Sequence, residues 1–117
     1  MSSCKTILCH SDLKALEYIL KQRSSVKGLA EQILRALNSI VLNIAEGSAD
    51  TSDIEFSRFL GISVRSVYET VAGFDLAEVY GMVTTDLNSD AEKRAEKLVK
   101  QLSAFRSSLT PTSRHKL

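Results

Sequence analysis

The chain has 117 residues and a mass of 12.9 kDa, enough for one domain with a single modest core and too short for two. Hydrophobic residues make up 44% and charged residues 25%, which argues against wholesale disorder, and no stretch approaches the roughly 18 apolar residues that span a bilayer. A formal net charge of +1 removes the simplest electrostatic case for a nucleic-acid binder.

The opening MSSCKTILCH carries one lysine and a very short apolar run, a poor match to a signal peptide. Cys4 and Cys9 fit no zinc or thioredoxin spacing, so reduced thiols and a cytoplasmic location are expected. Pro111 is the only proline and follows the last periodic residue, which together with the absence of alternating β-branched runs predicts an all-α chain. Residues 11–23 form the first predicted helix, with Leu13, Leu16 and Leu20 on one side and Ser11 as N-cap. The second spans 25–46, with Leu29, Ile33, Leu37, Ile40 and Ile44 as its stripe, and Gly47 is expected to close it in a left-handed cap. Ser52-Asp53-Ile54-Glu55 reads as a capping box opening a third helix over 53–80, stopped by Gly81. Its core arc holds Phe56, Phe59, Leu60, Val64, Val67, Val71 and Phe74. A second box, Ser89-Asp90-Ala91-Glu92, predicts a fourth helix over 89–109, with Ala91, Ala95, Leu98, Leu102, Phe105 and Leu109 in a bundle-like seam. The tail 111–117 is expected to be flexible. Short connections between amphipathic helices imply a single-domain, up-and-down antiparallel four-helix bundle.

Charge is distributed unevenly along this framework. Residues 1–42 carry six Lys and Arg against three Asp and Glu, 43–80 carry two against seven, and 89–117 carry seven against three. Arg35, Ser39, Asn43 and Glu46 share a polar strip of the second helix with Gln32, while Arg58, Arg65 and Glu69 share an outer arc of the third with Glu55 and Ser66. Leu42, Ile62, Tyr68 and Leu76 lie among them. Apolar residues mixed with ion-pairing ones outside the seam are what a subunit interface needs. The expected subunit-contact residues are therefore Arg35, Ser39, Asn43, Glu46, Arg58, Ile62, Arg65 and Glu69.

At these residues the chain resembles a known family. Gly28-Leu29, Gln32-Ile33, Arg35-Ala36, Ser39-Ile40 and the run Asn43-Ile44-Ala45-Glu46-Gly47, followed by Glu55-Phe56 and Arg58-Phe59-Leu60, then Ile62, Ser66 and Glu69, are similar to the four-helix-bundle proteins encoded in intervening sequences of bacterial 23S rRNA genes. The similarity covers about residues 28–83. It implies an up-and-down bundle and a homo-oligomer, a pentamer as in related structures. Relatives that assist diversity-generating retroelements bind nucleic acid and a reverse transcriptase, so the resemblance also suggests nucleic acid as a partner. This chain departs from the pattern at Val41-Leu42, where the family's usual Pro-Ser would kink the helix. It departs again at Asp50-Thr51, which replaces a basic pair with a group that repels phosphate.

The residues offer no reaction. A di-iron bundle needs Glu-x-x-His pairs, and neither His10 nor His115 follows a glutamate by three. Cys9-His10 cannot enclose zinc alone, no base is placed beside a nucleophile, and the glycines form no phosphate loop. No catalytic residue, metal, cofactor or small-molecule substrate is expected, and a non-enzymatic self-assembling protein is the leading reading. The alternative is a nucleic-acid-binding accessory protein using Lys93, Arg94, Lys97, Lys100 and Arg106 of the last helix, although the aromatic row of single-strand binders is missing. A weaker third reading builds an enzyme site at a subunit junction from Asn43, Glu46 and Arg58.

Overall fold

The structure is a computed structural model that describes Lys14, residues 26–49 and residues 52–109. These residues form three α-helices and no strand, so the all-α class is as expected: α1 is Val26–Ser48, α2 is Asp53–Val79 and α3 is Thr85–Ser108. The helix expected over 11–23, the 111–117 tail, Cys4, Cys9, both histidines and Asp50-Thr51 lie outside the described residues. α1 runs unbroken through Val41-Leu42.

α2 is the central element, with α1 and α3 each packed along it and only marginal contact between those two. Ile40, Leu60, Val67 and Leu102 form the buried core, and Ile44, Phe56, Val64, Ala95, Leu98, Val99 and Leu109 pack against it. Phe56 and Phe105 meet edge to face, with ring centroids 5.1 Å apart at 84°, the arrangement that the ring quadrupoles favour. Because α2 is covered on two sides, its burial extends beyond the apolar arc to Ser63, Ser66 and Thr70. Those hydroxyls are satisfied locally. Ser63 Oγ donates to the Ile40 carbonyl at 3.0 Å, and Thr70 Oγ1 donates to the Ser66 carbonyl at 2.8 Å.

Three sequence expectations change. Gly47 is not a left-handed cap: α1 continues through it to Ser48, and the residue is buried. A Cβ there would stand 2.7 Å from Phe56 Cδ1 and 2.8 Å from Phe59 Cβ, so glycine is required by the nearness of α2. The left-handed position is Gly81, at φ 76°. Its amide donates to the Glu78 carbonyl at 3.0 Å and the Met82 amide to the Ala77 carbonyl at 2.8 Å, the paired bonds that end a helix in a Schellman motif.

The last helix begins four residues before the expected start, because Thr84 is its N-cap and accepts from the Leu87 amide at 3.1 Å. Ser89-Asp90-Ala91-Glu92 is consequently inside α3, and the early start brings Asn88 into the helix. Asn88 is almost fully buried, and its Nδ2 donates to Asp75 Oδ1 at 2.9 Å and to Glu78 Oε1 at 2.8 Å. The box at α2 is half formed. Ser52 accepts from the Glu55 amide at 3.1 Å, but the Glu55 carboxylate accepts from Arg58 instead of returning to Ser52.

Gly73 matches Gly47 at the other end of the α1–α2 contact, where a Cβ would lie 2.6 Å from Ile33 Cγ1. Gly73→Ala is therefore expected to lower stability by about 1–3 kcal/mol in chemical denaturation, against the roughly 1 kcal/mol gain that helix propensity alone would give. A stabilised variant would show that α1 and α2 are not in close contact there.

Candidate subunit-contact strip on two helices

The antiparallel register of α1 on α2 follows from four contacts: Gly47 against Phe56 and Phe59, Ile40 against Ser63, Ser39 against Ser66, and Ile33 against Gly73. This register lays Arg35, Ser39, Asn43 and Glu46 of α1 alongside Arg58, Ile62, Arg65 and Glu69 of α2, so the eight expected residues form one composite strip. Arg35, Glu46, Arg58, Arg65 and Glu69 are exposed, and Ser39, Asn43 and Ile62 are half-buried.

Within the strip the short polar residues serve the fold. Ser39 Oγ and Ser66 Oγ are 2.8 Å apart, and Asn43 Nδ2 donates to the Ser39 carbonyl at 2.7 Å and to Ser39 Oγ at 3.0 Å. Ser39 thus ties α1 to α2 through Ser66, where a leucine would force the helices apart, and Asn43 braces Ser39 from within α1. Arg58 is held within its own helix. Its Nε and Nη2 donate to the two Glu55 carboxylate oxygens at 3.2 and 3.1 Å, and its Cζ lies 4.9 Å from the Phe59 ring centre. The bond from Arg58, reinforced by its charge, lowers the Glu55 pKa below the usual 4.5, and the same bond and charge raise that of Arg58. Both side chains are exposed to about half their surface, so the pair organises the surface more than it stabilises the chain.

The apolar part of the strip centres on Leu42, which is 65% exposed and shares a shallow open depression with Asn43, Ala45 and Glu46. A second groove of about 150 Å³ on the α1–α2 boundary is lined by Leu29, Gln32, Ile33, Glu69, Ala72, Gly73 and Leu76. Ile54, 61% exposed, was not singled out from sequence. It sits inside the capping-box motif, and that local role hid its outward position.

On α3, Lys93, Lys97 and Lys100 are exposed at i, i+4 and i+7, forming one ridge. The other two basic candidates are engaged elsewhere. Arg94 Nε donates to Asp90 Oδ2 at 2.9 Å. The Arg106 guanidinium lies over Gly61, whose Cβ position is 2.9 Å from Arg106 Cζ, and Arg106 Nε reaches Ser57 Oγ at 3.4 Å. Among the described residues no three His, Cys, Asp or Glu side chains group as metal ligands, and no helix is long and apolar enough to cross a membrane. Asn43 and Arg58, two members of the junction-site reading, have their polar heads committed to Ser39 and Glu55.

The model of one family, described as 23S rRNA-intervening sequence protein, matches residues 13–104 of the chain. No curated protein and no solved structure matches it.

Replacing Arg58 by alanine removes the cause of the Glu55 shift, so the Glu55 titration followed by NMR should move upward towards 4.5. In the intact chain the pair's contribution is present above the ordinary carboxylate pKa. It is lost as pH falls through the lowered Glu55 value. An unchanged Glu55 titration in the variant would mean that the two side chains do not pair in solution.

Proposed function

Because the chain belongs to the 23S rRNA-intervening sequence protein family, we propose that it is a non-enzymatic, self-assembling helical-bundle protein whose α1–α2 strip forms the subunit contact. The completed unit in this reading is a four-helix bundle in a homo-oligomer, with five subunits on the strength of the sequence resemblance. The observation that carries the contact is Leu42. Its side chain is 65% exposed, has no place in the described core cluster, and is bordered along α1 by Arg35, seven residues before it, and Glu46, four after it. An apolar centre with charges of both signs around it suits a desolvated contact with a polar rim. Ser39 and Asn43, being bonded inward, support the strip from behind.

A second reading rests on the Lys93–Lys97–Lys100 ridge, whose lysines form no ion pair with described residues and face outward along α3. Glu96 does not neutralise Lys100 despite its favourable spacing. Nucleic acid on this ridge would contact a few phosphates per subunit, and repetition in an assembly would supply the affinity that one ridge lacks. The ridge is narrower than the sequence suggests, because Arg94 and Arg106 are engaged with Asp90 and with α2.

Light scattering at micromolar concentration should give a single oligomeric mass, and Leu42→Lys should convert it to a monomer with unchanged helical content. A wild-type monomer would sink the assembly reading. For the ridge, three phosphate contacts predict that binding to a nucleic-acid duplex weakens by about 40-fold per subunit from roughly 50 to 200 mM salt. Binding that is absent or insensitive to salt would remove the second reading.

A further inference from the structure

Two outward ridges of the α1–α2 strip carry the same spacing with opposite charges. On α1, Arg35, Leu42 and Glu46 share one side of the helix, Arg35 seven residues before Leu42 and Glu46 four after it. On α2, Arg58, Ile62 and Glu69 share one side, Arg58 four residues before Ile62 and Glu69 seven after it. Both ridges therefore step about 6 Å from the apolar residue to one charge and about 10.5 Å to the other. Read from its C-terminal end, α1 runs acid, apolar, base. Read from its N-terminal end, α2 runs base, apolar, acid. Two such ridges laid antiparallel, with Leu42 on Ile62, bring Glu46 to Arg58 and Arg35 to Glu69 together.

The charges are available for such a contact. Arg35, Glu46 and Glu69 are exposed and join no ion pair with a described residue. Arg58 gives Nε and Nη2 to Glu55, and its Nη1 lies outside that fork. Within one chain, Ile40 against Ser63 and Gly47 against Phe56 and Phe59 put Glu46 level with Arg58, Leu42 with Ile62 and Arg35 with Glu69. Levels matched inside one copy stay matched between two copies that stand side by side in the same sense. Contacts between like ridges do not have this property. A second α2 turned end for end about Ile62 sets Glu69 on Glu55 and Arg58 beside Arg65, so like charges meet. A second α1 turned about Leu42 sets Glu46 on Asn38 and Arg35 on Ala49, and neither charge finds a counter-charge.

We propose that the α1 ridge of one copy seats antiparallel on the α2 ridge of a second copy, Leu42 on Ile62, with Glu46 paired to Arg58 and Arg35 to Glu69. This pairing rests on the self-assembly proposed for the strip and adds the direction of the contact and the residues that meet. Arg65, three residues past Ile62, comes beside Asn38, an exposed amide four residues before Leu42, which accepts its hydrogen bond without bringing a like charge. The ion pairs close both ends of the apolar contact and keep water from it. They also choose its direction, since the alternatives oppose like charges or leave them unmatched. Each copy carries both ridges, so the contact is repeatable from copy to copy.

Mixing charge-reversed chains tests the pairing. Glu46→Arg and Arg58→Glu should each weaken self-association about tenfold alone, because each sets like charges in every contact. An equimolar mixture of the two should recover most of that loss, since the reversed ridge of either variant then meets its complement on the other. Pairing within one chain would give no recovery, so a mixture that associates no more tightly than either variant would overturn the proposal. A second test alters no charge. Leu42→Cys and Ile62→Cys chains, each in a Cys4→Ser, Cys9→Ser background, should be joined to each other by a short bismaleimide, and neither kind of chain to itself. A bridge among Leu42→Cys chains alone would show the like-ridge contact and overturn the proposal. Light scattering separates the pairing from the assembly beneath it. A wild-type monomer removes both, whereas a wild-type oligomer with neither recovery on mixing nor the mixed bridge removes only the pairing.

Discussion

The close approach of α1 to α2 governs the rest of the described structure. It is made possible by glycine at both ends, Gly47 against Phe56 and Phe59 and Gly73 against Ile33, with serines meeting between them at Ser39–Ser66 and Ser63–Ile40. The separation of two packed helices is set by the side chains at the contact, and interiors are too dense to absorb an extra methyl group without displacement. Small residues spaced along the seam therefore fix both the distance and the register. The register in turn decides which outward residues of the two helices become neighbours.

Bringing backbones close has a polar consequence. A hydroxyl in the seam must find a partner, since an unsatisfied buried donor costs about 1–3 kcal/mol. Each seam hydroxyl does so at short range: Ser63 and Thr70 on carbonyls, Ser39 and Ser66 on each other, with Asn43 completing the set. This removes Ser39 and Asn43 from the outer surface as free hydrogen-bonding groups and leaves Leu42 with the charged residues as the part of the strip able to meet another molecule. The same logic at the other end of α2 gathers Asp75 and Glu78 on Asn88, and this fixes where α3 must begin.

Long basic side chains divide in a similar way. Arg58 bonds Glu55 and lies over Phe59, Arg94 bonds Asp90, and Arg106 rests on Gly61. Arginine's flat, forked head suits such packing, whereas the lysines of α3 keep their compact charge in water. The charge available to a partner is consequently smaller than the count of basic residues along the last helix.

From the sequence alone, the all-α class, the extents of α1 and α2 to within two residues, the Gly81 stop and the apolar core at Ile40, Leu60, Val67 and Leu102 could be read. These follow from helical periodicity and local capping chemistry, which act over a few residues. The polar strips of α1 and α2 were legible too, as arcs on separate helices. Only the tertiary structure decided that Gly47 is a packing residue and not a cap, because the atoms that exclude a Cβ belong to Phe56 and Phe59 on the next helix. It likewise chose Thr84 over Ser89 as the start of α3. Both positions satisfy local capping rules, and Asn88 can reach Asp75 and Glu78 as part of the helix only if Thr84 opens it. The use of Arg58, Arg94 and Arg106 within the chain was open for the same reason: a side chain's exposure and partners depend on where the neighbouring helix surface lies, and periodicity on one helix carries no information about that.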